Sequence, residues 1–178
     1  AEQQAVLAYR TSTQHRDLIF NGTEYYPFEG LSDGFPYYFS EYAEEEGRVV
    51  YDHEVYTDIP ILYDLVKDQL VVENYDQSGM FVTLMLDKRR VQEFTLAGKD
   101  FVHLIPDEFG VIKDGYYAQL YDGNIKLYAR YRKVVQEEVS SNSIQTSFNQ
   151  KVNYFLWKEG RYYGIRTKGS LLKLLAEI

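Results

Sequence analysis

Short segments of alternating apolar and polar residues, separated by turn-forming pairs, recur through most of this 178-residue chain and constrain its fold more than any other feature. "RVVY" and "EVYTDI" flank Asp52-His53, "RVQEFTLA" and "DFVHLI" flank Gly98-Lys99, and "KVNYFLWK" and "RYYGIR" flank Glu159-Gly160. "YYAQLY" reaches "IKLYARYRKVV" through "DGN", where Asp122-Gly123 is the strongest turn signal because glycine tolerates the positive φ of a tight hairpin. "DIPILYDLVKDQLVVENY" reads as a further hairpin. Ile59, Ile61, Tyr63 and Leu65 alternate with Pro60, Leu62, Asp64 and Val66, and Lys67-Asp68 makes the turn. Pro60 lacks a ladder N–H, which places it at the start of a strand or on an edge.

This spacing predicts about ten to twelve short strands, with no long crossover helix of the kind a parallel sheet needs. The expected fold is all-β, an antiparallel meander forming a sandwich or open barrel, in a single domain over residues 1–178. Two segments break the pattern. Residues 139–150, "VSSNSIQTSFNQ", are polar and read as an exposed loop. "SLLKLLAEI" sets Leu171, Leu174, Leu175 and Ile178 on one stripe, so a short C-terminal helix is expected over 169–178, capped by Ser170. A helix that short must dock or continue into a longer chain. "AEQQAVLAY" at the N-terminus fits a short helix or an edge strand equally.

Composition narrows the chemistry. The chain has no Cys, which removes disulfides and thiolate sites, and no stretch approaches the run of apolar residues that a membrane span requires. Residues 1–115 hold nine Lys and Arg against 22 Asp and Glu, whereas residues 116–178 hold ten against five. An acidic chain is a poor match for nucleic acid, whose binding rests on neutralising phosphates. The basic last third is expected to meet the acidic earlier strands of its own domain. An opening Ala without an initiator Met is what cleavage of a secretory signal leaves, which points to a periplasmic or secreted protein.

The blocks "VYTDIPILYDLVKDQLVV", "FTLAGKDFVHL", "LYDGNIKLYARYRK" and "RYYGIRTKGSLLKLL" resemble a set of uncharacterised secreted or periplasmic proteins of Gram-negative bacteria, over most of the chain from about residue 45 onward. The resemblance implies an envelope or extracellular location and an all-β fold, and it carries no catalytic signature. Several such proteins are longer past the Leu-rich end, which would make Ile178 a truncation point.

Candidate chemistry is sparse. His15, His53 and His103 have no second His at ligand spacing, and "YDHE" around His53 fits an exposed turn. His103 fits a hydrogen-bonded, half-buried position. Asp64 and Asp68 flank a turn and read as turn chemistry and solvation; Glu44-Glu45-Glu46 reads as a solvated loop. No nucleophile elbow, phosphate-cradling loop, metal motif or cofactor motif is present.

The 18 tyrosines are more suggestive. "EYYPFEG" and "GFPYYFSEY" cluster Tyr25, Tyr26, Phe28, Phe35, Tyr37, Tyr38, Phe39 and Tyr42, which suits stacking on a sugar, contact with a partner, or plugging one end of a barrel. On the strand after Asp122-Gly123, Lys126, Tyr128, Arg130 and Arg132 share one face, as on an outer strand with one side wet. The candidate ligand-binding residues are therefore Tyr25, Tyr26, Tyr37, Tyr38, Tyr128 and Arg130. The functional expectation is a non-enzymatic exported envelope protein that binds a glycan or small amphipathic ligand. The alternatives are a protein–protein interaction or oligomerisation module, and a carboxylate-dependent hydrolase. The partner is a small ligand, a glycan or an envelope protein.

Overall fold

A computed structural model of the chain describes residues 19–28, 32–39, 42, 46–75, 78–139 and 144–176. The N-terminal stretch with His15, and Glu44-Glu45, lie outside these residues. The strands are β1 Thr23–Glu24, β2 Ser32–Asp33, β3 Glu46–Tyr51, β4 Glu54–Asp64, β5 Gln69–Tyr75, β6 Phe81–Met85, β7 Val91–Leu96, β8 Lys99–Leu104, β9 Gly115–Asp122, β10 Lys126–Val139, β11 Ile144–Lys158 and β12 Arg161–Ile165. A 3₁₀ turn, Lys88–Arg90, precedes β7, and helix α1 spans Lys168–Ala176. Eleven strands follow one antiparallel path in the order β1-β6-β5-β4-β3-β7-β8-β9-β10-β11-β12, and β2 joins β11 in parallel.

From β3 onward, sequential strands are neighbours except once. The chain leaves β6, crosses back past the sheet, and lays β7 beside β3. The sheet is curled but not closed. Its two limbs meet where Lys133 N–H donates to Leu65 C=O at 3.1 Å, joining β10 to the β4–β5 turn.

The curl explains why β4 is buried on both faces. Ile59, Ile61 and Tyr63 enter the main core with Phe94, Phe101 and Tyr116, while Leu62 enters a second cluster with Tyr25, Tyr37 and Val71. Tyr63 is ringed edge-on by Phe94, Phe101 and Tyr116 at 5.3–5.6 Å between centroids. Contacts of this geometry add about 0.5–1.5 kcal/mol per pair beyond burial. Pro60 stands inside β4, neither at its start nor on an edge. Its pairing with Glu46 of β3 ends there, and pairing with β5 begins at Ile61, so the missing N–H falls where the strand changes partner.

Turn geometry follows the sequence closely but not everywhere. Asp52-His53 and Glu159-Gly160 are two-residue turns with both φ positive, as the type I′ geometry requires. The β7–β8 turn is Ala97-Gly98, one residue earlier than Gly98-Lys99, because Leu96 pairs with Lys99. The β4–β5 loop holds four residues, Leu65 to Asp68, rather than a tight Lys67-Asp68 pair. After Asp122 the loop is three residues long, and Gly123 is not at positive φ, so its turn role rests on the added length.

Three further expectations are corrected. Residues 144–150 are not a loop: they form the first half of β11 and pair with β10 through Val139. The polar run misled because this part of the ribbon is solvated, and alternating Ser, Thr, Asn and Gln satisfy a strand with little to bury. Strand β10 is not an outer strand, and the face expected to be wet is so from Arg132 onward but not at Tyr128 and Arg130. It lies between β9 and β11; Tyr128 is buried in a third cluster with Ile112 and Tyr117, and Arg130 is buried over the Tyr117 ring. Helix α1 is capped by Thr167, not Ser170. Thr167 Oγ1 accepts from Ser170 N–H and Ser170 Oγ accepts from Thr167 N–H, both at 3.1 Å, a reciprocal capping pair.

Candidate ligand cleft

The crossover from β6 to β7, Leu86 to Arg90, borders a cleft of about 520 Å³. Its walls are the 3₁₀ turn with Asp87, the ends of β3 and β6 at Tyr51 and Met85, Gln69 at the start of β5, and the segment Asn21 to Thr23. Leu86 is pinned at the base: its N–H donates to Leu70 C=O at 3.0 Å, and Gln69 Nε2 donates to Leu86 C=O. A Cβ on Gly22 would strike Met85 C=O, so only glycine lets the Asn21–Thr23 wall approach β6 this closely.

The turn projects three consecutive cations, each matched to carboxylate. Asp87 is its N-cap, with Oδ1 accepting from Arg89 N–H at 3.1 Å. The Arg89 guanidinium lies against the same carboxylate, Nε to Oδ1 at 3.1 Å and Nη2 to Oδ2 at 2.8 Å. Hydrogen bonding by Arg89 holds Asp87 below the usual carboxylate range. Arg90 grips Asp52 through Nε at 2.7 Å and through Nη2, lies over the Tyr51 ring at 4.6 Å, and lowers the Asp52 pKa in the same way. Lys88 turns inward, 2.7 Å from Asp68 and 3.4 Å from Asp114.

Behind Lys88 lies a dense polar cluster. Asp68 accepts from Tyr63 Oη at 2.6 Å and from Arg130 Nη2 at 3.1 Å as well as from Lys88. Arg130 also donates to Asp114 C=O at 2.9 Å and to Tyr117 Oη at 3.2 Å. Asp114 pairs with His103 Nε2 at 2.9 Å. Burial raises the Asp114 pKa, but the His103 bond and the Lys88 charge outweigh it, so the net shift is downward. Gly115 makes room for this cluster: its φ is +155°, and a Cβ there would strike Asp68 Oδ2 and lie 2.5 Å from Arg130 Nη2. The expected meeting of basic late strands with acidic early ones is thus realised at Arg130 and Asp68.

Asp64 and Asp68 are not solvated turn residues. Asp64 is fully buried; its Oδ1 accepts from Val66 and Lys67 N–H at 2.8 and 2.9 Å, and its Oδ2 accepts from Tyr25 Oη at 2.9 Å. Turn chemistry is right for Asp64, but the curl buries it. His53 sits at an exposed turn, where its N–H donates to Gln92 Oε1, and His103 is the half-buried hydrogen-bonded residue expected.

The six sequence candidates do not converge, and none lines the cleft. Tyr25 and Tyr37 share a buried cluster with rings 6.3 Å apart, and burial drives the Tyr25 pKa upward. Tyr26 is 65% exposed and donates to Glu24. Tyr38 packs edge-on against Phe101 and Tyr131 at 5.1 and 5.0 Å. Tyr128 and Arg130 lie on the other face, where Arg130 touches the rear of the cleft through Asp68. A small cavity of about 10 Å³ under Tyr37, Phe39 and Tyr42 holds no more than a water. The cleft residues that sequence reasoning passed over are Asp87 to Arg90. Their signal was available: in the acidic first 115 residues, three of the nine cations stand in succession after an aspartate.

Fold and site together define an all-β protein with one long, open, curled sheet and a charge-paired cleft at the crossover from β6 to β7. No protein-family model, curated protein or solved structure matches the chain. No helix among the described residues is long and apolar enough to cross a membrane.

Proposed function

We propose that this is an exported envelope protein that binds a small hydrophilic ligand in the cleft beside Lys88–Arg90. The observation that carries this reading is the cleft itself. Its volume lies within the range of small-molecule sites, and its polar groups are held in place by carboxylates and backbone before any ligand arrives. The resemblance of blocks from about residue 45 onward to secreted and periplasmic proteins supports the location. A hydrolytic reading has less support: the carboxylates at the cleft, Asp52 and Asp87, are both shifted down by arginines, whereas an acid–base pair needs its two pKa values pushed apart.

A second reading, an assembly module, is favoured by α1. None of its residues is buried, Leu172 is 55% exposed, and the neighbouring β12 ends the sheet path. Native mass spectrometry of protein prepared gently from the cell envelope separates the two. A monomer carrying a small mass that leaves on activation is the expected result. A bare dimer or a complex with another protein would overturn the cleft reading in favour of assembly.

A further inference from the structure

We infer that the cleft is built for a neutral ligand bearing neighbouring hydroxyls, a pyranose-type sugar, with Arg89 and Asp87 as its recognition pair; this rests on the cleft being a binding site. Charge is the first reason. Lys88, Arg89, Arg90 and Arg130 face Asp52, Asp68, Asp87 and Asp114, four cations against four carboxylates, each in an ion pair. A phosphate or carboxylate ligand would have to draw Lys88 from Asp68, which is costly because that pair is part-buried, and at Arg89 and Arg90 it would meet guanidiniums whose charge Asp87 and Asp52 already match. A hydroxyl ligand leaves every pair intact.

Hydrogen-bond capacity is the second reason. A guanidinium has five N–H donors, and Arg89 commits two of them, both to Asp87. The Asp87 carboxylate accepts three bonds from Arg89, one short of its capacity. The pair therefore presents free donors beside a free acceptor. Adjacent hydroxyls each donate once and accept, so one can donate to Asp87 while its neighbour accepts from Arg89. The Arg89 side chain is 88% exposed, so the pair faces solvent rather than the core. Half-buried Met85 on the wall offers an apolar strip for the C–H face of a ring.

The test is a two-dimensional NMR titration of the full chain with methyl α-mannoside, methyl β-glucoside, methyl β-galactoside and myo-inositol, and separately with inorganic phosphate and glucuronate. The expected result is saturable shifts of the amides of residues 85–90 with at least one neutral probe, little changed by added salt. Arg89→Ala should weaken that binding at least tenfold, and Arg89→Lys should not restore it, because an ammonium cannot make the paired contact. Since Arg89 is exposed, both variants should keep the wild-type spectrum elsewhere. Salt-sensitive saturation by phosphate or glucuronate alone would overturn the neutral-sugar assignment and leave the cleft reading standing. No shift at these amides with any probe would overturn both. Shifts unchanged in Arg89→Ala would remove the recognition pair. An oligosaccharide that binds more tightly than its terminal unit supports the end of a longer glycan as the natural form, and equal binding supports a free sugar.

Discussion

Gly115 is the residue on which the polar cluster turns. Its positive φ and the proximity of Asp68 and Arg130 both exclude a side chain. Gly115→Ala should therefore cost about 3 kcal/mol or more, through strain and a displaced buried ion pair. Gly164→Ala is the control. A Cβ there meets nothing within 4 Å and φ is not positive, so its thermal midpoint should move little. If the two glycines melt alike, the cluster is not tightly packed. Arg130→Met is expected to lose about 3 kcal/mol, because it removes one of the two cations on Asp68 inside a part-buried site. At this scale the sequence was only partly legible. Asp64 and Asp68 were visible as turn residues beside Tyr63, but their partners lie far off in sequence, Tyr25 at 39 positions from Asp64 and Arg130 at 62 positions from Asp68, and nothing local reports that.

The elements themselves were easier to read, because hairpin turns are local. Asp52-His53 and Glu159-Gly160 announced themselves through residues that tolerate positive φ. Ala97 did not: at φ +50° an alanine sits where L-residues are strained, and the pair was displaced by one residue to the following glycine. Ala97→Gly should relieve about 1 kcal/mol of that strain, less whatever its half-buried methyl contributes to the core. A raised denaturation midpoint with unchanged slope would show it; a lowered midpoint would mean that packing outweighs strain. The helix start was read to within one residue, but its cap was misplaced by three because Thr167 and Ser170 are both good caps, and their reciprocal bonding makes both matter. Thr167→Ala should cost about 1 kcal/mol or less and loosen α1 before the sheet, seen as faster amide exchange confined to 168–176. The β10–β11 ribbon was missed over 144–150 because solvated strands lack the apolar alternation by which strands are recognised.

For the whole molecule, tyrosines and paired carboxylates set a stability window in pH. On the acid side, Asp52, Asp87 and Asp114 have folded pKa values below their ordinary range. Their contribution is complete above the unfolded value of about 4 and is lost as pH falls through the lower folded values. Glu73 runs the other way: burial raises its pKa, so its cost at neutral pH fades on protonation, and Glu73→Gln should steepen the acid loss while raising neutral stability. On the alkaline side, burial raises Tyr25, Tyr63 and Tyr116 strongly and pushes Tyr128 up to about 12. A raised folded pKa gives stability that is intact below the unfolded tyrosine value of about 10 and lost as pH rises through the folded one. Phenolate absorbance should therefore appear in two stages. Solvent-facing rings ionise first with the near-ultraviolet circular dichroism intact, and the buried rings follow together as that signal collapses near or above pH 12. Tyr25, Tyr63 and Tyr116 line both faces of β4 and the inner face of β9, and Tyr128 packs on the other face of the sheet against Ile112 and Tyr117, so ionisation of the first three cannot be separated from opening the curl. A single smooth titration with the dichroism retained would mean that water reaches these rings in the folded sheet, and that the curl is held by its edges rather than by its aromatic core.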